Sequence, residues 1–327
     1  MWREGRRTGT GRDGRGGRAW EGCHAAAGEG VGQGAPTLGG MPDTRVLDSL
    51  HTIAAWPAVA EALQEASEAC TRLRWHEGLR RRAPEAAGES RVRGARCSAE
   101  MDGARSDDAV VRSFVIGATP WPEQPDPTLS VIRGAIQVTA EAEHVGRIVG
   151  TAPRQALARL HTAAAEPILQ GEDRSFIGRP REGQECAEMA DLGRPPADVP
   201  GRLSGVADLL DCVGTPGVPV ALVAALAHAE IAVVRPFLRG NGLVARAVER
   251  ALVHAGGVDP TGVSVPEAGH LRRGATPYLG SLTAYARGGR EGVELWVRHV
   301  AGAITDGAAE GERIADAVRA GRLDLAP

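Results

Sequence analysis

Apolar residues recur at helical spacing along most of this chain. Between Val46 and Arg82 they fall at Leu47, Leu50, Ile53 and Ala54, then at Val59, Leu63, Ala66, Cys70 and Leu73, which predicts two helices broken near Pro57. Leu129 to Val145 and Pro153 to Ala164 read as amphipathic helices, the second with Ala156, Leu157, Leu160 and His161 on one side. Leu203 to Leu210, Pro219 to Val234 and Leu243 to His254 read as three more, and Tyr278 to Tyr285 with Val293 to Val300 complete a helical bundle. The expected fold class is all-α.

Polar and glycine-rich intervals divide this pattern. Residues 1–40 hold 13 glycines and 6 arginines with almost no apolar periodicity, so they cannot bury enough surface to order themselves and are expected to form a disordered tail. Gly9, Gly11 and Gly14 spell G-x-G-x-x-G there, but no strand precedes them and no helix follows, which excludes a dinucleotide site. Met41 opens a stretch of ordinary globular composition. Pro120, Pro122, Pro125 and Pro127 mark a linker after the first helical part, and Gly171 to Pro200 is too rich in Gly and Pro for a helix.

Composition narrows the class further. The formal charge is −3, and the longest apolar stretch, Val218 to Val234, is interrupted by His228 and Glu230, so no membrane span is expected and the chain reads as cytoplasmic. Five cysteines (Cys23, Cys70, Cys97, Cys186, Cys212) are scattered with no C-x-x-C pair, which argues against a disulfide framework or a cysteine zinc site. A basic run from Arg72 through Arg74, Arg80, Arg81, Arg82, Arg91 and Arg93 to Arg96 is interleaved with Glu77, Glu85 and Glu89, and its aromatic is Trp75. That mixture reads as a solvated helix face rather than a nucleic-acid surface.

The candidate chemistry lies in the run Val234-Arg235-Pro236-Phe237-Leu238-Arg239-Gly240-Asn241-Gly242-Leu243-Val244-Ala245-Arg246, which contains the chain's single asparagine. Glycine admits positive φ and asparagine visits the left-handed region more readily than other side chains, so Gly-Asn-Gly predicts a tight turn with convergent N–H groups. Opening a helix, such a turn is an anion cradle. A plain connection between two helices, with Arg235 and Arg239 in solvent, stands as the alternative.

The run resembles the signature of the Fic (Fido) family, His-Pro-Phe-x-Asp/Glu-Gly-Asn-Gly-Arg-x-x-Arg. Pro236, Phe237, Gly240, Asn241, Gly242 and Arg246 match in register, whereas Arg235 replaces the histidine, Arg239 the acid and Leu243 the first arginine. Ser98-Ala99-Glu100-Met101-Asp102-Gly103 resembles the family's inhibitory helix, Ser/Thr-x-x-x-Glu-Gly/Asn, with Asp for Glu. The resemblance implies a Fic-fold bundle over 126–302 with an irregular or β-hairpin flap near Ile177 to Arg181, an N-terminal helical region over 41–118 and a C-terminal helix and tail over 303–327.

It further implies a protein adenylyltransferase that moves AMP from ATP to a target hydroxyl, with Gly240, Asn241, Gly242 and Arg246 on the nucleotide and Ser98, Asp102 and Gly103 inhibitory, Asp102 pairing with Arg246. Two replacements oppose that activity. Arg235 stays protonated and has no acceptor, so it cannot serve as the base. Arg239 places a cation where Mg²⁺ needs carboxylate oxygen. With Arg246 they would make a pocket for ATP phosphates without Mg²⁺ or any other metal. His228 lies seven residues before Arg235, about 10 Å back along a helix, and reads as a packing histidine. The expected protein is thus an inactive relative of adenylyltransferases. Two alternatives are a transferase of non-standard mechanism, using Arg235 and Arg239 as charge stabilisers, and a module that docks a partner protein at the flap groove.

Overall fold

The computed structural model describes residues 43–323 apart from 184 and 187, and the tail expected over 1–40 lies outside that range. Twelve α-helices are found among the described residues, and no strand. They are α1 (Thr44–Ala54), α2 (Pro57–Arg74), α3 (Ala83–Met101), α4 (Asp108–Val115), α5 (Pro127–Val145), α6 (Pro153–Ala165), α7 (Val199–Leu210), α8 (Val220–Val234), α9 (Asn241–Ala255), α10 (Pro266–Arg273), α11 (Ala275–Ala286) and α12 (Arg290–Arg319).

Local chemistry sets many of these ends. Pro57, Pro127, Pro153 and Pro266 each stand at the first helical position, where a missing N–H is no loss. Asp126 caps α5 by accepting from the Leu129 N–H at 2.8 Å. At the end of α3, Gly103 takes φ 87°, its N–H donates to Glu100 O at 3.0 Å, and the Ala104 N–H donates to Ala99 O at 2.9 Å. That is a Schellman closure, and it leaves Asp102 at the helix edge with its side chain directed by the turn.

Helix α8 is hydrophobic on every side and buried from Ala221 to Val234, so it forms the axis of the bundle. Helix α9 packs along it, with α12, α7 and α11 against its other sides. The indole N–H of Trp296 on α12 donates to Ala225 O at 2.6 Å, tying the last long helix to the axis. No helix among the described residues is long and apolar enough to cross a membrane.

The N-terminal helices are built into the same core. Helix α3 packs on α5, α10 and α12, and α2 on α12. The basic run supplies ion pairs within α3, Arg93 with Glu89 and Arg96 with Glu100, and others between helices, Arg93 with Glu310, Arg96 with Asp108 and Arg91 with Glu143. The expectation of a solvated face holds for Arg72, Arg74, Arg80 and Arg81, which are exposed, and is corrected for Arg91, Arg93 and Arg96, which the acids of α3 and neighbouring helices take up. Another difference is α12, which continues unbroken through residues 302–303 to Arg319 because Ile304, Ala308, Ile314, Ala315 and Val318 sustain a buried stripe.

No hairpin forms over 177–181. The Gly178 N–H donates to His161 Nδ1 at 3.0 Å and the Arg181 N–H to Pro236 O at 2.8 Å, so the backbone donors go to the bundle rather than to a second strand. The described residues between Gly171 and Asp198 are irregular, with short 3₁₀ turns at Gly171–Phe176 and Ala190–Leu192.

Helices α10 and α12 touch backbone to backbone at Gly269, where an added Cβ would lie 1.9 Å from Ala303 O. We expect Gly269→Ala to destabilise the protein by about 1–3 kcal/mol through overpacking. Chemical denaturation should show a lower midpoint at unchanged slope; a loss below about 0.5 kcal/mol would mean that the two helices part freely.

Candidate functional site

Helix α8 ends at Arg235, one of two residues other than glycine with positive φ among those described; the second is Met189. Arg235 sits at φ 46°, ψ 62°, and the following proline disfavours the right-handed region that would have prolonged the helix. The left-handed residues of the motif are therefore Arg235 and Gly240 (φ 82°), while Asn241 is the first residue of α9. Its side chain works differently from the expected left-handed turn former. Asn241 Oδ1 accepts from the Phe237 N–H at 2.9 Å and Nδ2 donates to Phe237 O at 2.9 Å, closing the Pro236–Gly240 loop on itself.

The expected cradle forms, and a side chain of the same protein fills it. Glu188 Oε1 accepts from the Gly240 N–H at 2.6 Å, and Oε2 accepts from the Asn241 N–H at 3.0 Å and from Asn241 Nδ2 at 2.8 Å. Burial raises the pKa of Glu188; the Gly240 N–H opposes that shift, the Asp102 charge adds to it, and the Asn241 groups oppose it again. Over Gly242, a Cβ would meet Asp102 Oδ1 at 2.7 Å, Met189 Cε at 2.9 Å and Arg246 Nη1 at 3.1 Å, so the space above the helix start is occupied as well.

Arg235 holds the segment that carries Glu188. Its Nη1 donates to Glu188 O and to Met189 O, both at 3.0 Å, and Nη2 donates to Gly193 O at 2.7 Å. Arg181 adds a second clamp, donating from Nε to Arg235 O at 2.8 Å and from Nη2 to Pro196 O at 3.2 Å. Arg235 and Met189, the two left-handed residues other than glycine, thus meet in one contact, each costing about 1–3 kcal/mol of backbone strain that the surrounding bonds offset. Arg235 is 1% exposed and burial lowers its pKa, so it lies inside the molecule rather than beside a ligand cavity.

The remaining motif positions divide between core and surface. Arg239 is exposed, and its carbonyl faces His161 Nε2 at 3.1 Å. His161 stacks on Phe237 with centroids 3.9 Å apart, and burial lowers its pKa to about 4. Since its Nδ1 accepts from Gly178, its Nε2 carries the proton and donates to Arg239 O. Leu243, in the place of the family's first arginine, is wholly buried.

Arg246 points across to α3. It donates to Asp102 Oδ1 at 2.7 Å, Ser98 Oγ at 2.8 Å and Ser98 O at 3.0 Å, which brings together the residues expected on the inhibitory helix and the last arginine of the motif. Burial works against the Arg246 charge, and Asp102 together with Tyr278 more than offsets it, leaving the pKa raised.

Three further residues were not legible as a site. Glu188 lies in the irregular stretch seven positions beyond Arg181, and nothing in its local pattern marks it out. Glu249 and His270 flank His228 in the core: His228 Nδ1 pairs with Glu249 Oε2, and His270 Nε2 lies 2.9 Å from the same oxygen. The expectation that His228 has its partners in the core agrees with this arrangement, although the carboxylate partner was not foreseen.

No family profile and no curated protein matches this sequence. Solved structures do. A Fic family protein from Desulfovibrio desulfuricans aligns with TM-score 0.57 at 18% identity, over 78% of this chain and 74% of that one. A Fic domain containing signaling protein from Bacteroides thetaiotaomicron gives 0.58 at 9% identity, over 78% and 98%. Fic-1 from C. elegans gives 0.56 at 14% identity, over 85% and 84%. With a buried axial helix, a Gly-Asn-Gly turn at its end and these structural neighbours, the chain has the Fic fold.

Proposed function

We propose that this protein is a Fic-fold relative of adenylyltransferases that does not itself transfer AMP, and whose phosphate turn is kept closed by Glu188. The observation that carries this reading is the Glu188 carboxylate on the N–H groups of Gly240 and Asn241, where a nucleotide phosphate would otherwise sit. Arg235 supports it: the guanidinium accepts no proton, and its donors are spent on three carbonyls of the plugging segment. General base catalysis contributes about 10²–10⁴-fold, so this replacement alone removes a large part of any transfer rate. ATP binding, where it occurs, requires Glu188 to leave. It would not depend on Mg²⁺ held by residue 239, since an exposed arginine stands there.

A second reading has one observation in its favour. Glu188 is a carboxylate with a raised pKa beside the turn, the kind of group that can take a proton from a target hydroxyl once it has swung aside. The two readings separate with α-labelled ATP. Incubation of the full chain with a lysate, with and without Mg²⁺, should label nothing, and Glu188→Gln should be equally silent. Labelling that survives denaturation and is lost in Glu188→Gln would establish the second reading and remove the first. Docking of a partner protein along the 177–193 segment is compatible with either, because the clamp of Arg181 and Arg235 leaves that segment's outer side exposed at Arg179, Glu182 and Glu185.

A further inference from the structure

The three helices around the turn meet in a second cluster, buried behind it. His228 of α8, Glu249 of α9 and His270 of α10 converge so that one ligand atom from each lies within 4.8 Å of the others, and all three side chains are at most 1% exposed. We propose that this cluster is a structural site for a divalent first-row metal ion of the Zn²⁺ class, bound by His228 Nδ1, His270 Nε2 and Glu249.

Donor chemistry and geometry both support this assignment. Two imidazoles and a carboxylate form a donor set that Zn²⁺ takes with bonds of about 2.0–2.2 Å, which places neighbouring donors about 3.3–3.5 Å apart in a tetrahedron. The cluster holds these atoms within 4.8 Å of one another and its carboxylate–imidazole pairs closer than that spacing, at hydrogen-bond distance, so the two rings would move slightly apart from Glu249 to admit the ion. Glu249 presents both oxygens to His270 Nε2, at 2.9 and 3.1 Å, so a carboxylate binding through both would bring the donors to four.

The outer nitrogens are equipped as in a metal centre. A histidine that binds through one nitrogen usually gives its other N–H to a neighbour, which fixes tautomer and ring orientation. His228 Nε2 lies 2.8 Å from Tyr278 Oη, and His270 Nδ1 lies 3.2 Å from His299 Nε2. Both neighbours can accept a proton bond, so the loaded site needs only the opposite tautomer of each ring. Trp296 meets His228 edge-on, with centroids 5.1 Å apart, and limits its rotation.

Charge points the same way. A carboxylate fully removed from water needs a cation, and the two buried arginines nearest in sequence are paired elsewhere, Arg246 with Asp102 and Arg250 with Glu267. A divalent ion between Glu249 and the two rings supplies that charge. Its function would be to lock α8, α9 and α10 together, and thereby to fix the two helices that flank the Gly240–Gly242 turn.

The full chain, prepared without metal-affinity resin, is stripped with a chelator and titrated with Zn²⁺, and separately with Co²⁺. We expect one equivalent of either ion, an unfolding midpoint that rises on Zn²⁺ addition, and visible Co²⁺ bands of a nitrogen and oxygen site without thiolate charge transfer. Glu249→Gln and His270→Gln should lower Zn²⁺ affinity more than 10-fold, and Tyr278→Phe, which removes an orienting partner, by about 10-fold at unchanged stoichiometry. No stoichiometric metal together with a midpoint indifferent to Zn²⁺ would show that protons alone hold the cluster and would overturn the proposal. Thiolate bands, or Zn²⁺ retained at full affinity in both variants, would place the ion elsewhere. The Co²⁺ spectrum of the unaltered protein keeps the test decisive even where a variant does not fold.

Discussion

Replacing Glu188 by alanine is expected to raise the affinity of the protein for pyrophosphate and ATP by about 10–100-fold, measured by calorimetry in EDTA. On the function proposed above the carboxylate is an intramolecular competitor, since it occupies the N–H groups of Gly240 and Asn241. A ligand that binds only the open state has its apparent affinity reduced by the open fraction, so a turn open about 1–10% of the time hides that much intrinsic binding. Glu188→Gln should gain less, because its amide still presents one oxygen to the same donors while removing the charge. The gain should fall with added salt, as phosphate binding through arginines and a helix start does. It should also appear without Mg²⁺. Equal affinities for wild type and Glu188→Ala, or a gain that appears only when Mg²⁺ is present, would mean that the turn is not the phosphate site.

The transferase that the motif once suggested is further from reach than the sequence implies. Arg235→His with Arg239→Asp would restore the base and the acid, yet Arg235 also carries the bonds that hold residues 188–193, and Glu188 would still face the turn. The pair of substitutions therefore needs Glu188→Ala beside it before AMP transfer is expected.

Helix positions were legible because apolar periodicity is a local signal. Pro153 to Ala164 was read and Pro153–Ala165 is found; Pro219 to Val234 was read and Val220–Val234 is found. Helices α4 and α10 escaped because each has eight residues, too few for the period to repeat. Helix α12 reads in sequence as two pieces, Val293 to Val300 and a C-terminal helix within 303–327, since the glycines and acids between them obscure a stripe that only becomes clear over 30 residues.

For the site, the turn and the pairing of Asp102 with Arg246 were legible because family motifs record which distant positions meet. The plug was not. Glu188 acts from a stretch with no repeating pattern, and its partners are backbone N–H groups, which leave no trace in the identity of the residues they belong to. The same limit hid Arg235: as a replaced catalytic residue it read as a ligand for phosphate, whereas its donors satisfy carbonyls of a segment 42–47 positions away. His228 likewise read as packing, because Glu249 and His270 join it only through the crossing of α8, α9 and α10.

Asp102→Ala is expected to destabilise the protein by about 3 kcal/mol without opening the turn. Arg246 is 2% exposed and Asp102 23%, so the two halves of the pair are not equivalent. Removing the acid leaves a guanidinium out of water with Ser98 Oγ, Ser98 O and the Tyr278 hydroxyl to receive it, and an uncompensated buried charge costs about 3–5 kcal/mol. The lower end applies, because Asp102 is partly solvated already. Arg246→Met should cost less, since the carboxylate left behind can turn to water while the apolar stem is replaced. Phosphate affinity should change by less than about twofold in Asp102→Ala, well under the tenfold that corresponds to 1.4 kcal/mol. The reason is electrostatic: Asp102 repels the Glu188 carboxylate, so its removal seats Glu188 more firmly at the same time as it frees Arg246. In the Glu188→Ala background that opposition disappears, and Asp102→Ala should then tighten ATP binding further. Urea denaturation measures the first effect and calorimetry on the double variant the second. A stability loss under about 1 kcal/mol would mean that water reaches Arg246 in the variant. An ATP gain in Asp102→Ala alone as large as in Glu188→Ala would make Asp102, rather than Glu188, the group that closes the turn.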